Sequence, residues 1–281
     1  MTKERLDREV IAMRVAKELP NGSYVNLGIG IPTLVSNYVP EGHTVFYHSE
    51  SGVLNCGPLA DEGEEDVDLI NAGGQFLKPV LGMSFFNSAD AFAMIRGGHI
   101  DVTVLGALQV SEKGDLANWM LPERGMGNIG GAMDLAVGAK RIIVAMEHTD
   151  RNNQPKLVNE CTYPYTGKEC VSLVITDLSV IEVTRVGLVL KEIAPGWTIE
   201  AVQELTGTRL AVSPNLKEMD FTVPDESPSS KIYSTPSSAV ADVFDGATIL
   251  MDGFGGLGGM SHYLMVALRD QGAKNLTIVG N

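Results

Sequence analysis

Apolar residues fall along the first half of the chain in short solid runs. Longer stretches with one apolar side separate them. The runs are YVNLGIG (24–30), TVFYHSE (44–50), VDLINAG (67–73), DVTVLGALQV (101–110) and RIIVAME (141–147). Several are apolar at successive positions rather than alternate ones, the pattern of strands buried on both faces. The intervening stretches follow a helical period. In residues 3–19, Leu6, Val10 and Met13 share one face, and PNG at 20–22 stops the helix. SADAFAMIRGG (88–98) reads as a helix with Ser88 as N-cap and Gly97 or Gly98 at its end, and GGAMDLAVGA (130–139) as a short helix. Strands alternating with helices predict an α/β fold, a sheet with a substantial parallel part covered on both sides.

The pattern changes twice. After residue 170, CVSLVITD, SVIEVTR and GLVLKEIAPG read as three strands joined by tight turns, and Thr198 then caps a helix ending near Leu205. Around residue 220 the chain becomes rich in proline and serine, as in a linker. Beyond it lie a helix, a strand, a helix and a strand, too little to cover both faces of a sheet. The organisation predicted is a domain over 1–219, a linker over 220–237 and an α/β fragment over 238–281. The unpaired strands of that fragment imply a partner or a homo-oligomer.

Composition narrows the function classes. Of 281 residues, 44% are hydrophobic and 20% charged, which supplies a sizeable core and argues against global disorder. A net charge of −14 repels phosphate backbones, so nucleic acid is excluded as a partner. Local backbone N–H groups can still hold a phosphorylated ligand. Three cysteines, Cys56, Cys161 and Cys170, and five scattered histidines suggest neither a disulfide framework nor a metal site. No apolar run approaches the ~20 residues a membrane span needs, and the N-terminus mixes acids and bases. The expectation is a cytoplasmic protein with no membrane contact and no metal.

Two G-x-G-x-x-G triplets raise a dinucleotide site: Gly125, Gly127 and Gly130, and Gly253, Gly255 and Gly258. The first follows NWMLPER, which is no strand, although Glu147 loosely meets the need for a downstream acid. The second has strand and helix in order but Asn281 near the acid position. Glycines at such turns also permit close packing, or expose N–H groups to an oxyanion.

One short stretch carries chemistry of its own. HSESGVLN (48–55) runs a buried strand into a glutamate and then a glycine turn. Together with SFFNSADAFAMIRGGHIDVTVLGALQVSEKGDLANWM, GGAMDLAVGAKRIIVAMEHTD and YPYTGKECVSLVITDLSVIEV, it resembles the β subunit of the class I 3-oxoacid coenzyme A-transferases over residues 3–219. The tail VADVFDGATILMDGFGGLGG…ALRDQGAKNLTIVGN resembles the opening of the α subunit.

The resemblance implies a three-layer α/β/α domain with a mostly parallel mixed sheet. It implies ping-pong CoA transfer between an acyl-CoA and a carboxylic acid such as a 3-oxoacid, with no permanently bound cofactor and the CoA thioester as substrate. Glu50 falls on the family's nucleophile, and Gly131 on its oxyanion-stabilising glycine. Gly28, Gly30, Ser51, Gly52 and Gly130 would shape the CoA site, and an α-type subunit or a second copy would complete it. His48 reads as structural. Ser51 stands where the family usually has Asn, and Asn55 where it has Gly. Two other classes remain: a non-catalytic sensing or assembly module of the same fold, and an NAD-dependent oxidoreductase resting on the glycine triplets.

Overall fold

The structure, a computed structural model, describes residues 4–40, 42–125, 127–221, 235–241, 243–251 and 262–280. These fall into two compact units, Met1–Asp225 and Glu226–Asn281.

The first unit begins with helix α1 (Arg8–Ala16), strand β1 (Ser23–Leu27), helix α2 (Ile31–Leu34) and strands β2 (Val45–Ser49), β3 (Val53–Leu54) and β4 (Ser84–Phe85). Helix α3 (Ser88–Arg96), strands β5 (Val102–Leu105), β6 (Gln109–Ser111) and β7 (Leu116–Ala117), and helix α4 (Ala132–Gly138) follow. Then come β8 (Arg141–Ala145), β9 (Leu157–Val158), β10 (Leu173–Ile175), β11 (Ser179–Thr184), β12 (Gly187–Ile193), helix α5 (Ile199–Glu204) and β13 (Leu210–Glu218).

Ten strands form one sheet in the order β13-β12-β11-β10-β8-β5-β1-β2-β3-β4. Its centre, β10-β8-β5-β1-β2, is parallel throughout. Both margins turn antiparallel, at β10-β11-β12 and at β2-β3-β4. Alternate residues of one strand feed different cores. Ile142 and Val144 pack with Ile95 of α3 and Leu135 of α4, whereas Ile143 and Ala145 pack with Ile11 and Val15 of α1. That is a three-layer α/β/α arrangement with a mostly parallel mixed sheet.

Several expected elements differ. Residues 67–73 form no strand, because the Asn71 side chain takes the Gly73 and Gln75 N–H groups at 2.9 and 3.0 Å and bends the chain. The run 101–110 breaks after Leu105, and β6 joins β7 and β9 in a separate three-stranded sheet. Asn87, not Ser88, caps α3 by accepting from Asp90 N–H at 2.9 Å. Strand β13 was not expected, since no element was assigned between Leu205 and residue 220; it contains Pro214, which an edge strand tolerates. Thr198 caps α5 as expected.

The second unit contains α6 (Pro236–Ala239), β14 (Thr248–Met251), α7 (His262–Gln271) and β15 (Thr277–Gly280), with β14 and β15 parallel. Helix α6 starts inside the expected linker, where Thr235 and Ser238 form a capping box and Pro236 takes the first turn. The glycines at 253, 255 and 258, and Asn281, lie outside the described residues.

Candidate active site

Strand β2 ends at Ser49, and the chain reverses through Glu50, Ser51 and Gly52 so that Val53 pairs with Ser49. Gly52 makes the turn possible. Its φ is +108°, its N–H donates to the Ser49 carbonyl at 3.0 Å, and its carbonyl accepts from Phe86 N–H at 3.0 Å. A Cβ there would collide with the Phe86 carbonyl oxygen. The two serines flanking Glu50 hold the reversal in place. Their hydroxyls meet at 2.8 Å, Ser49 Oγ accepts from Ala72 N–H at 2.9 Å, and Ser51 Oγ donates to the Ile70 carbonyl at 3.3 Å.

Glu50 projects against the start of α4. A Cβ built on Gly131 would lie 2.8 Å from Glu50 Oε1 and 3.3 Å from the Phe92 ring. The carboxylate therefore occupies the space a side chain at position 131 would need, and only glycine leaves that space open. Gly131 itself has φ −84°, an ordinary backbone, so the requirement comes from Glu50 rather than from the turn. Among the described residues no ion pair joins Glu50 to a cation.

The carboxylate faces a cleft of about 780 Å³. Its floor is the carboxyl ends of three parallel strands: Leu27 and Gly28 at the end of β1, Ser49 to Ser51 at the end of β2, and Leu105 and Gly106 at the end of β5. Ligands of open α/β sheets bind beyond those ends. The volume suits an extended small molecule. Gly28 approaches the neighbouring strand closely, donating to the Val104 carbonyl at 2.8 Å, and Thr33 Oγ1 donates back to its carbonyl at 2.9 Å.

The predicted residues divide. Glu50, Gly131, Gly28, Ser51 and Gly130 line the cleft. Gly30 and Gly52 do not. Gly30 precedes α2 with φ +91° and Gly52 turns the hairpin, so what the structure shows for both is a backbone role. Sequence reasoning missed Phe92, Asn118 and Asn128, which arrive from separate elements. Cys56 also lines the cleft. Burial, with a smaller push from the Glu50 charge, raises its thiol to about 11, so it stays protonated and does not compete as a nucleophile. The first glycine triplet is no dinucleotide turn. Gly125 closes a short turn over Pro122–Arg124, and Gly127 bridges to Met120 instead of leading from a strand of the main sheet.

Comparison with known proteins adds the deciding observation. The family model described as Coenzyme A transferase matches residues 8–205. This chain belongs to the coenzyme A transferase family. One subunit of the 3-oxoadipate CoA-transferase of Acinetobacter baylyi is 49% identical to it over 212 residues, 75% of this chain and 97% of that subunit. The human mitochondrial succinyl-CoA:3-ketoacid coenzyme A transferase 2 is 49% identical over 224 residues, 79% of this chain but only 43% of the human one. An acyl-CoA transferase from Escherichia coli O157:H7 shares the fold, with a TM-score of 0.60 at 19% identity over 79% of this chain and 44% of that one. In this CoA transferase the matched region contains the whole Glu50 hairpin and Gly131. Among its described residues, no helix is long and apolar enough to cross a membrane.

Proposed function

We propose that this CoA transferase moves CoA between an acyl-CoA such as succinyl-CoA and a 3-oxoacid or related carboxylate, with Glu50 as nucleophile. The Glu50 carboxylate attacks the thioester carbonyl. The carbon–sulfur bond breaks, CoA leaves as thiolate, and an acyl-glutamyl anhydride remains. The thiolate then attacks the glutamyl carbonyl and releases the first acid as its carboxylate, leaving a glutamyl-CoA thioester. A second carboxylate repeats the two steps in reverse and departs as the new acyl-CoA. Splitting the transfer this way replaces one hard exchange with activated ones, and the cleft supplies proximity.

The carrying observation is that the Glu50 carboxylate fills the side-chain space of Gly131 in an open cleft, with no cation among the described residues quenching it. The Gly131 N–H is the group we assign to the negative charge developing on the attacked carbonyl oxygen. A carboxylate left without an ion pair favours catalysis over a sensing module. The names of the two relatives support a 3-oxoacid acceptor. That the Acinetobacter relative is a single subunit of its enzyme supports an α-type partner beside this chain.

Intact-mass spectrometry after mixing with succinyl-CoA or acetoacetyl-CoA tests the reading. The expected result is a CoA-sized adduct in the wild type, reduced by about four orders of magnitude or more in formation rate in Glu50→Ala. Absence of the adduct both alone and with a complete α-type subunit overturns it.

A further inference from the structure

Behind Glu50 a row of polar side chains crosses the sheet where apolar ones would be expected. Thr103 of β5, Asn26 of β1 and His48 of β2 stand in register, Thr103 beside Asn26 and Asn26 beside His48. All three are buried, His48 with 3% of its surface exposed and the other two with none. Such a row is costly to bury unless each group serves a purpose.

The hydrogen bonds determine the state of His48. One Asn26 side-chain atom lies 3.2 Å from the His48 carbonyl oxygen and 3.2 Å from His48 Nδ1. A carbonyl only accepts, so that atom is the amide nitrogen. Its second N–H then points at Nδ1, which must offer a lone pair. The ring proton is therefore on Nε2. A cationic ring would set an N–H against an N–H.

The surroundings agree. Burial holds the His48 ring below the ordinary histidine range; the Glu50 charge opposes this to a smaller extent, and the Ala91 backbone less still. Nε2 meets no partner of hydrogen-bond geometry, so the Ala91 backbone acts on it only weakly. Phe86 stacks on the ring with centroids 6.2 Å apart. Of the groups facing the ring, Asn26 from β1, Phe86 after β4, Ala91 from α3 and Glu50 after β2, only Glu50 carries charge. A protonated His48 would set a cation within electrostatic reach of a carboxylate that has no ion pair among the described residues.

We propose that His48 is a positioning residue for the nucleophile: Asn26 locks its ring in the neutral Nε2–H form, and that neutrality leaves the Glu50 carboxylate unpaired and free to attack. The inference rests on the reading of Glu50 as nucleophile. It makes His48 part of the reaction's acid limit. As pH falls through the depressed His48 pKa, the ring charges, pairs with Glu50 and slows attack.

Long-range proton–nitrogen spectra of the imidazoles in the full-length 15N-labelled chain, assigned with His48→Gln, test the lock without any turnover. The expected His48 signal is the neutral Nε2–H tautomer, titrating below the ordinary 6.5 or so. In Glu50→Gln the midpoint falls further. In Asn26→Asp, which offers a carboxylate to Nδ1–H, it rises by about one pH unit or more. The rate of thioester formation on Glu50 should follow: the acid limb moves up in pH in Asn26→Asp, and in His48→Gln only the limb from protonation of Glu50 itself remains. A proton on Nδ1 in the wild type, or a titration at or above 6.5 or so, overturns the lock whether or not the Asn26 variant folds. Identical pH profiles in the wild type and a folded Asn26→Asp overturn the role in attack. A locked ring with no thioester at any pH, even with an α-type subunit, strikes instead the transfer reading on which that role depends.

Discussion

The central sheet has two margins, each entered through antiparallel pairs and built in opposite ways. On the β11-β12-β13 side the strands are 6, 7 and 9 residues long. Ile181, Leu188 and Leu190 are buried, and a buried guanidinium, Arg14 of α1, grips Glu192 of β12 through two bonds of 2.8 and 3.0 Å. The buried histidine flanking β8 and β10, His148, is bonded at both nitrogens, to Thr176 and Thr206 at 2.9 Å each, and burial pushes it down to about 3. On the β3-β4 side the strands are two residues each, Phe85 is exposed, His48 has one nitrogen unpaired, and Glu50 has no counter-ion among the described residues. One margin satisfies its polar groups and the other leaves them open. Reactivity is placed where the fold invests least in pairing.

The largest expected effect breaks the first margin. Arg14→Met leaves Glu192 buried, with Lys217 at 3.3 Å as its remaining cation. Breaking a buried ion pair by removing one partner costs about 3–5 kcal/mol, with Lys217 placing this variant toward the lower end, read as a shift in the urea midpoint. Arg14→Met combined with Glu192→Met should recover most of it. A loss below about 1 kcal/mol in the single variant would mean that apolar packing alone holds this margin.

Next comes the turn of the second margin. Gly52→Ala puts a side chain at φ +108° and against the Phe86 carbonyl. Strain and collision together should cost about 3 kcal/mol and loosen Glu50, so stability and thioester formation fall together. Gly131→Ala separates the two. Its backbone is ordinary, and the new Cβ meets the free end of Glu50 at 2.8 Å rather than a backbone atom. The urea midpoint should hold while thioester formation falls about 10²-fold, the penalty for displacing a reacting group by about 1 Å. Unchanged adduct formation would remove Gly131 from the site.

How much of this was legible follows the same division. Strands β5, β8 and β10 could be read from apolar runs because they are buried on both faces, and β1, β2, β11 and β12, only partly buried, still carry enough apolar and β-branched residues to read as strands. Strands β3 and β4 could not, since two residues have no period. The run at 67–73 imitates a strand, but Asn71 captures its backbone locally. At the site, Glu50 and Gly131 were reached through likeness to a family. Phe92, Asn118 and Asn128 were missed, because only the tertiary fold brings them to one cleft. Gly52 was read as the residue that permits the tight turn, and its φ of +108° agrees; Gly30 was reached only through the family's turn, because its φ of +91° cannot be seen in GIGIP. His48 was set aside as structural, since nothing in HSESG indicates that Asn26 lies beside it.

The smallest effect sharpens the comparison most. Asn55 sits at φ +60°, just past β3, where the family usually has glycine. Asparagine is among the few residues that accept this region, and here its side-chain amide donates to the Leu81 carbonyl at 3.3 Å. Asn55→Gly relieves the left-handed conformation, but it frees the unfolded chain and removes that bond, each worth about 0.5–1.5 kcal/mol. The terms oppose one another, so the urea midpoint should move by less than about 1 kcal/mol equivalent, with thioester formation unchanged. A loss above about 2 kcal/mol would show the Asn55–Leu81 bond to be a clamp. The second margin would then be held by side-chain pairing after all, and the contrast with the Arg14 side would reduce to Glu50 and His48 alone.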